Sequence, residues 1–242
     1  MKTIIIGYGQ IGQSMQQLYD EDIEHSDVEE NTITDSKVDV MHICFGYNAK
    51  FVVNVCNYIF KYKPELTIIN STVPVGTTEE ITQITSAKVV HSPVIGVHPN
   101  LYEGIMTFKK IIGGETLAIE LAKTHFNNIN VKTIVFDNSR TSEAAKLWST
   151  SYYGWNIAFN KQMNHFCEEN DVNFDQAYTD WNNNYNEGYE TLDMNHVRRP
   201  VLKYMKGKTG GHCIKSNYDI LENIHNVDLA KIWNRMNNGE EK

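Results

Sequence analysis

Lys2-Thr3-Ile4-Ile5-Ile6 runs directly into Gly7-Tyr8-Gly9-Gln10-Ile11-Gly12, and the reading of this junction decides the fold. A short apolar strand enters a glycine-rich turn, and the Gln-rich segment that follows reads as a helix to Leu18. Gly7 permits the tight turn, Gly9 lets the backbone approach a pyrophosphate, and Gly12 lets the helix pack close to the strand. Backbone N–H groups and the positive end of the helix dipole would hold the phosphates. The order strand, glycine turn, helix therefore points to a dinucleotide site made by Gly7, Tyr8, Gly9, Gln10, Ile11 and Gly12. A tight turn that binds nothing is the plain alternative.

The same alternation continues outward from this junction. Strands are expected at Thr3–Ile6, Ile23–Ser26, Val40–Phe45, Leu66–Asn70, Lys88–His91, Lys110–Ile112 and Thr133–Phe136, with helices near Gln10–Leu18, Ala49–Tyr62, Thr77–Ile84 and Thr116–Phe126. Such a pattern predicts a doubly wound parallel sheet, a Rossmann-type α/β domain over residues 1–138, with ligands gathered at the carboxyl ends of the strands. Phe45 and Gly46 close the third of these strands and join the cofactor-binding candidates.

From Ser142 to about Asn170 the chain has one Gly, Gly154, and no Pro. Leu147, Trp148, Tyr152, Trp155, Phe159, Met163 and Phe166 recur at helical spacing, which predicts one long helix with an aromatic stripe. Residues 139–242 read as a smaller all-α domain. The stripe serves either core packing within that domain or a homodimer contact. Trp181–His196 reads as an ordered but irregular connection.

The 242 residues allow one or two domains and the burial of roughly 70–75% of the unfolded surface. A formal net charge of −8 argues against nucleic acid or an acidic membrane as partner. The first apolar run breaks at Gly7, unlike a secretory signal, and no segment approaches the roughly 20 apolar residues of a membrane span. Cys44, Cys56, Cys167 and Cys213 form no Cys-x-x-Cys pair, so neither a metal site nor a disulfide framework is expected. The composition reads as a reduced, cytoplasmic protein.

Three further places could carry chemistry. Asp27 lies 20 residues beyond Gly7, where a carboxylate accepts hydrogen bonds from the adenine ribose and repels a 2′-phosphate. No Arg or Lys stands between Gly7 and Asn31, so NAD is favoured over NADP. Asn70-Ser71-Thr72-Val73-Pro74-Val75-Gly76-Thr77 joins a buried strand to a helix, with Thr77 as its cap and Thr72 at the strand end near a bound nicotinamide. Gly210-Gly211-His212-Cys213 exposes its backbone ahead of a helix expected at Tyr218–Ile224, capped by Ser216 or Asn217. A thiol just before a helix N-terminus is a usable nucleophile, whereas an ordinary Cys is a small buried hydrophobe.

These residues, in this order, resemble the UDP-glucose/GDP-mannose dehydrogenases. The resemblance rests on the opening Gly-x-Gly-x-x-Gly, on Ser71-Thr72-Val73-Pro74-Val75-Gly76-Thr77, on the Lys146 helix with Asn156-Ile157-Ala158-Phe159, and on Gly210-Gly211-His212-Cys213. It covers the Rossmann and central helical domains and stops short of the family's further α/β domain, which holds the nucleotide of the sugar. The resemblance implies NAD-dependent oxidation of an alcohol of a sugar or nucleotide sugar by a homodimer, with Cys213 capturing the aldehyde and Lys146 stabilising the oxyanion. The cleft they share would lie beside the nicotinamide. Thr72 would touch cofactor and water, Arg198 or Arg199 would reach the substrate, and Gly210, Gly211 and His212 would line its site. Alternatively, Lys146 pairs with Glu143, and the two arginines are solvated.

The chain also departs from that family. Thr150 stands where the family has Asn, and Asn217 stands where it has an Asp that can act as a base. Val94 replaces the Glu of Ser-Pro-Glu, so hydrolysis of a thioester would need a substitute such as Glu103 or His98. Two rival readings follow: a β-hydroxyacid or 6-phosphogluconate type of dehydrogenase, which needs no Cys213, and a non-catalytic NAD-binding protein derived from such an enzyme.

Overall fold

The structure is a computed structural model that describes residues 1–34, 37–97, 99–207 and 212–239, with side chains for all of these except residues 212 and 237–239. The chain divides into two compact units, Met1–Leu147 and Trp148–Lys242.

The first unit is built on a seven-stranded sheet in the order β2-β1-β3-β4-β5-β6-β7. Its strands are β1 (Thr3–Ile6), β2 (Glu24–Ser26), β3 (Val40–Ile43), β4 (Leu66–Ile69), β5 (Val89–His91), β6 (Lys110–Gly114) and β7 (Thr133–Val135). All seven fall where the hydrophobic pattern puts them. β1 to β5 pair in parallel, and the strand order reverses between β1 and β3, the place where a doubly wound sheet opens a crevice. Alternation along β1 sends Ile5 to one face and Ile4 and Ile6 to the other. Ile5 joins Val40, Leu66 and Ile68 beneath α1 (Gln10–Gln16) and, further along, α5 (Thr116–Asn128). Ile4 and Ile6 join Met41, Ile43 and Ile69 beneath α2 (Phe51–Tyr62) and α3 (Thr77–Thr85).

The sheet is mostly parallel rather than wholly so, because β6 runs antiparallel to β5. The connection after β5 holds only the seven-residue α4 (Leu101–Thr107), so β6 starts beyond the carboxyl end of β5 and runs back along it. Sequence reading misses α4 because Gly104 sits inside it as an apparent breaker. A Cβ there would lie 2.5 Å from the Ile95 carbonyl oxygen, so close packing rather than helix propensity selects glycine.

A polar cluster is threaded through the first core. His42, from the middle of β3, faces Tyr19 and His125: the Tyr19 hydroxyl lies 2.9 Å from His42 Nε2 and 3.0 Å from His125 Nε2. Asn70 Nδ2 closes the other side of His42, 3.1 Å from Nδ1. Lys110 Nζ, also buried, donates to the carbonyls of Ser92 and Pro93.

In the second unit, α6 (Ser139–Glu169) continues from the first, followed by α7 (Trp181–Thr191), α8 (His212–Asn223) and α9 (Asp228–Gly239). Gly154 is the contact point of α6, α8 and α9. A Cβ at that position would lie 2.7 Å from Ile214 and 2.8 Å from Tyr218. Tyr218 stacks on Trp233 at 4.0 Å, and the Trp233 indole N–H donates to the Gly154 carbonyl at 3.1 Å. The face of α6 buried here is small and polar, with Ser151, Gly154, Ala158, Asn160 and Asn164, while Trp148, Tyr152, Phe159 and Phe166 are exposed. Core packing does not use those four members of the stripe.

The expected irregular connection at Trp181–His196 is instead helix α7, preceded by a π-helical turn at Asp175–Asp180 and followed by a 3-10 turn at Asn195–Val197. Its asparagines have low helix propensity but hold neighbouring chain: Asn186 Nδ2 donates to the Arg199 carbonyl at 2.8 Å and Asn186 Oδ1 accepts the Arg199 N–H at 2.8 Å. Helix α8 begins before Cys213 rather than at Tyr218, so Ser216 and Asn217 lie inside it rather than ahead of it.

Burial holds the pKa of His42 well below the ordinary histidine value, that of His125 near 4 and that of His91 near 3, so all three are neutral in the fold. An unfolded imidazole titrates near 6.5. As pH falls below that value the unfolded chain takes up protons that the folded chain refuses, and stability is lost at roughly 1.4 kcal/mol per group per pH unit. Glu143, whose carboxyl is raised by burial, acts in the opposite sense, but it is one group against three. Scanning fluorimetry should show the melting temperature falling steadily from about pH 6.5 to about pH 5; a flat profile would mean that a charged histidine is accommodated.

Candidate dinucleotide site and associated residues

The carboxyl ends of β1, β2, β3 and β4 bring together Gly7, Tyr8, Gly9, Gln10, Ile11, Gly12, Asp27, Phe45, Gly46 and Thr72. Gly7 has φ +92°, and a Cβ on it would meet the Phe45 nitrogen at 2.6 Å. Gly12 is tighter still, because its Cβ would fall 2.1 Å from the Gly7 carbonyl oxygen. These two glycines seat α1 on the sheet. Gly9 differs: nothing lies within 4 Å of its would-be Cβ, and as N-cap it gives α1 no side-chain cap. An open backbone at a helix start fits a pyrophosphate.

Asp27 turns its carboxylate to the same turn. Oδ2 accepts the Tyr8 N–H at 2.5 Å and Oδ1 accepts the Val28 N–H at 2.6 Å. Each oxygen retains a further lone pair for a ribose hydroxyl, so the residues present fit the adenosine half of NAD. Phe45 packs against Phe51, with ring centroids 4.9 Å apart, and its carbonyl accepts the Ser71 hydroxyl at 2.6 Å. That bond ties the ends of β3 and β4 together beside Thr72, which is half-buried.

The turn after β4 is fixed from α6. Glu143 is fully buried and accepts from the Gly76 N–H at 2.6 Å, the Thr78 N–H at 2.9 Å and the Thr78 hydroxyl at 2.6 Å. It therefore caps α3 across the chain, the place expected of Thr77, whose hydroxyl donates to the Pro74 carbonyl instead. Burial raises the Glu143 carboxyl, and the hydrogen bonds from Thr78 and Gly76 oppose that rise. Its oxygens go to α3 and not to Lys146, whose Nζ donates to the Val94 carbonyl at 2.9 Å. His91 joins the same region: its Nε2–H donates to the Ser71 carbonyl at 3.1 Å, and its Nδ1 lies 2.9 Å from the Ser142 hydroxyl oxygen. None of Glu143, His91 and Lys110 stands out in sequence as part of this site, since nothing local marks a long-range cap or a buried tautomer.

Val94 is a core side chain, 5% exposed, while Glu103 is exposed in the first turn of α4. In the helical unit, Cys213 is exposed, whereas Cys44, Cys56 and Cys167 are buried; burial pushes the Cys44 thiol up to about 12. Asn217 is buried, with Nδ2 donating to the Cys213 carbonyl at 2.6 Å, and Thr150 is half-buried on α6. Arg199 lays its guanidinium 3.7 Å over the Tyr185 ring, and Arg198 pairs with Glu190 at 3.4 Å. His98, Gly210, Gly211 and the side chain of His212 lie outside the described residues. Among the described residues no helix is long and apolar enough to cross a membrane, and no group of three His, Cys, Asp or Glu side chains could hold a metal ion.

Removing the Glu143 carboxylate strands two buried N–H donors and a hydroxyl. Glu143→Ala should cost roughly 2–4 kcal/mol and Glu143→Gln less, read as urea-unfolding midpoints. Equal midpoints for Glu143→Ala and the parent would show that α3 needs no cap from α6.

No family model matches the chain. It is 28% identical over 193 residues to a UDP-N-acetyl-D-mannosamine dehydrogenase of Methanococcus vannielii, covering 77% of this chain and 42% of that protein. The chain spans about two fifths of the length of the curated relatives it matches. Among solved structures, the UDP-D-ManNAc dehydrogenase of Pyrococcus horikoshii superposes with TM-score 0.77 at 20% identity, over 98% of this chain and 68% of that one. A UDP-glucose dehydrogenase of Pyrobaculum islandicum gives TM-score 0.67 at 14% identity, over 99% and 68%. Over most of its length, then, the chain has homologues named UDP-N-acetyl-D-mannosamine dehydrogenase and structural neighbours in the UDP-glucose/GDP-mannose dehydrogenase family.

Proposed function

We propose that the chain is an NAD-dependent dehydrogenase that oxidises an alcohol of a sugar or nucleotide sugar, with a Rossmann unit for the cofactor and a helical unit. The observation that carries this reading is the turn Gly7–Gly12, open at Gly9 and faced by the Asp27 carboxylate, in a chain whose homologues are named for that reaction. Bound NAD would supply the hydride acceptor. The chain's own part is to hold the pyrophosphate on the backbone of Gly9, Gln10 and Ile11, to take the adenine ribose on Asp27, and to exclude a 2′-phosphate by charge. Thr72 would stand beside the nicotinamide.

Cys213 is the proposed nucleophile. Its sulfur would add to the aldehyde carbon left by the first oxidation, the resulting thiohemiacetal would give a second hydride to a second molecule of NAD and become a thioester, and water would release the acid and the thiol. Its exposure supports the role. Lys146 is the proposed cation for the oxyanion, with Thr150 and Asn217 as polar groups of the same chemistry, and Arg198, Arg199, Gly210, Gly211 and His212 as substrate contacts. Val94 offers no carboxylate for thioester hydrolysis, so that step should be the slow one.

The test is NADH formation with UDP-N-acetylmannosamine, UDP-glucose, GDP-mannose and a set of 3-hydroxy acids. Turnover of a nucleotide sugar by the parent chain, with Cys213→Ser releasing aldehyde but no acid, is the expected result. Turnover of hydroxy acids alone would move the chain to the β-hydroxyacid type of dehydrogenase, and no turnover at all would leave a binding protein.

The exposed stripe of α6 supports a homodimer, since an apolar face of this extent, with Trp148, Tyr152, Phe159 and Phe166 open, is rare on a monomer. The proposed setting is the cytoplasm, where the four thiols stay reduced. Light scattering should give twice the chain mass, and Phe159→Asp should halve it; a monomeric parent chain at micromolar concentration would sink the dimer.

A further inference from the structure

We infer that His25 is a positioning residue for the dinucleotide: its imidazole, stacked on Tyr8, holds the glycine-rich turn in the geometry that receives the pyrophosphate. The inference rests on the NAD-binding reading above and extends it to a residue of β2 outside the glycine motif.

Residue 8 is held at three points. Its carbonyl accepts from the Gln13 Nε2–H at 3.1 Å. Its N–H donates to Asp27 Oδ2 at 2.5 Å, and its ring lies on the His25 ring with centroids 3.6 Å apart and planes within 10° of parallel. The last two come from β2 and the residue just after it, and β2 is an edge strand of only three residues. Such a strand needs its own support, which comes from the segment folding back beside it. The Thr32 hydroxyl accepts the His25 N–H at 2.8 Å and donates to the His25 carbonyl at 3.1 Å, while the Thr32 N–H donates to that carbonyl at 2.9 Å. Asn31 bridges to Ser26 in antiparallel fashion. The His25 side chain is only 14% exposed, with Nδ1 3.4 Å from the Ile23 carbonyl and Nε2 3.5 Å from the Glu30 carboxylate.

The physical need for this grip lies in the turn. A segment with three glycines in six residues loses much backbone entropy when it is ordered, and at Gly9 no packing contact lies within 4 Å of a would-be Cβ. If the turn were loose in the free protein, that ordering would be charged against the ligand; a turn already held is preorganised. A flat ring on a flat ring fixes Tyr8 in orientation as well as position, which an aliphatic neighbour of equal volume does not.

The test compares the parent chain with His25→Ala, His25→Phe and His25→Leu in two measurements: NAD affinity by calorimetry, and amide exchange of the Tyr8–Gly12 backbone without ligand. His25→Ala should weaken NAD by about three- to tenfold and speed exchange of the turn by a similar factor, the scale of an aromatic pair. Phe should restore both, and Leu neither. A parent chain that binds NAD while His25→Ala leaves both quantities unchanged would overturn the inference, as would Leu restoring them as well as Phe. A parent chain that binds no NAD would instead overturn the NAD-binding reading, and the exchange measurement would still decide whether the stack holds the turn.

Discussion

The first unit depends on one close approach. With 2.1 Å between a would-be Cβ on Gly12 and the Gly7 carbonyl oxygen, no residue but glycine lets α1 begin directly over the end of β1. A side chain there would push the helix off the sheet, and the core of Ile5, Met15 and Ile23 would open with it. The second approach, of Gly7 to the Phe45 nitrogen, couples the same turn to β3. Through the Ser71 bond to the Phe45 carbonyl, the constraint reaches the end of β4 and Thr72. The candidate site is therefore an outcome of packing at two glycines, while nothing packs within 4 Å of a would-be Cβ on Gly9.

Polar groups do in this core what hydrocarbon does elsewhere. His42, Tyr19, His125 and Asn70 join β3, β4, α5 and the end of α1 through hydrogen bonds of 2.9–3.1 Å, where an all-aliphatic core would use volume alone. Lys110 does the same for the carbonyls of Ser92 and Pro93, and burial draws its amine down to about 7. Directional contacts of this kind specify one arrangement, and the cost is sensitivity to protons, because every desolvated imidazole must stay neutral. The Asn70 Oδ1 and His125 Nδ1 atoms lack protein partners in this cluster, so its hydrogen bonding is incomplete.

In the helical unit, the usual distribution is inverted along α6. Ser151 and Gly154 face α8 and α9, the other buried positions are mostly small or polar, and much of the aromatic surface is exposed. Glycine at position 154 allows Tyr218 and Trp233 to stack against the helix backbone, so the bulk in this contact comes from α8 and α9 rather than from α6. That leaves the large residues of α6 available for another surface, which is why a single long helix with a wide stripe is compatible with a small domain.

Periodicity along the chain determined the seven strands, the glycine turn and the long helix, because each is a local pattern of burial or backbone freedom that residues within a few positions express by themselves. The direction of β6 and the helix α4 were not legible, since both follow from where the chain after β5 is obliged to pack. The helical state of Trp181–Thr191 was hidden for a related reason: asparagines that read as turn formers spend their amides on Tyr178 and on the Arg199 strap. The positions of Asp27 beside the glycine turn and of Thr72 after β4 were readable from the local pattern, whereas Glu143 as the cap of α3 and the stacking of His25 on Tyr8 were not. Those partners lie 65 and 17 residues apart in the chain, and only the folded sheet brings a carboxylate to an open helix end or one ring onto another.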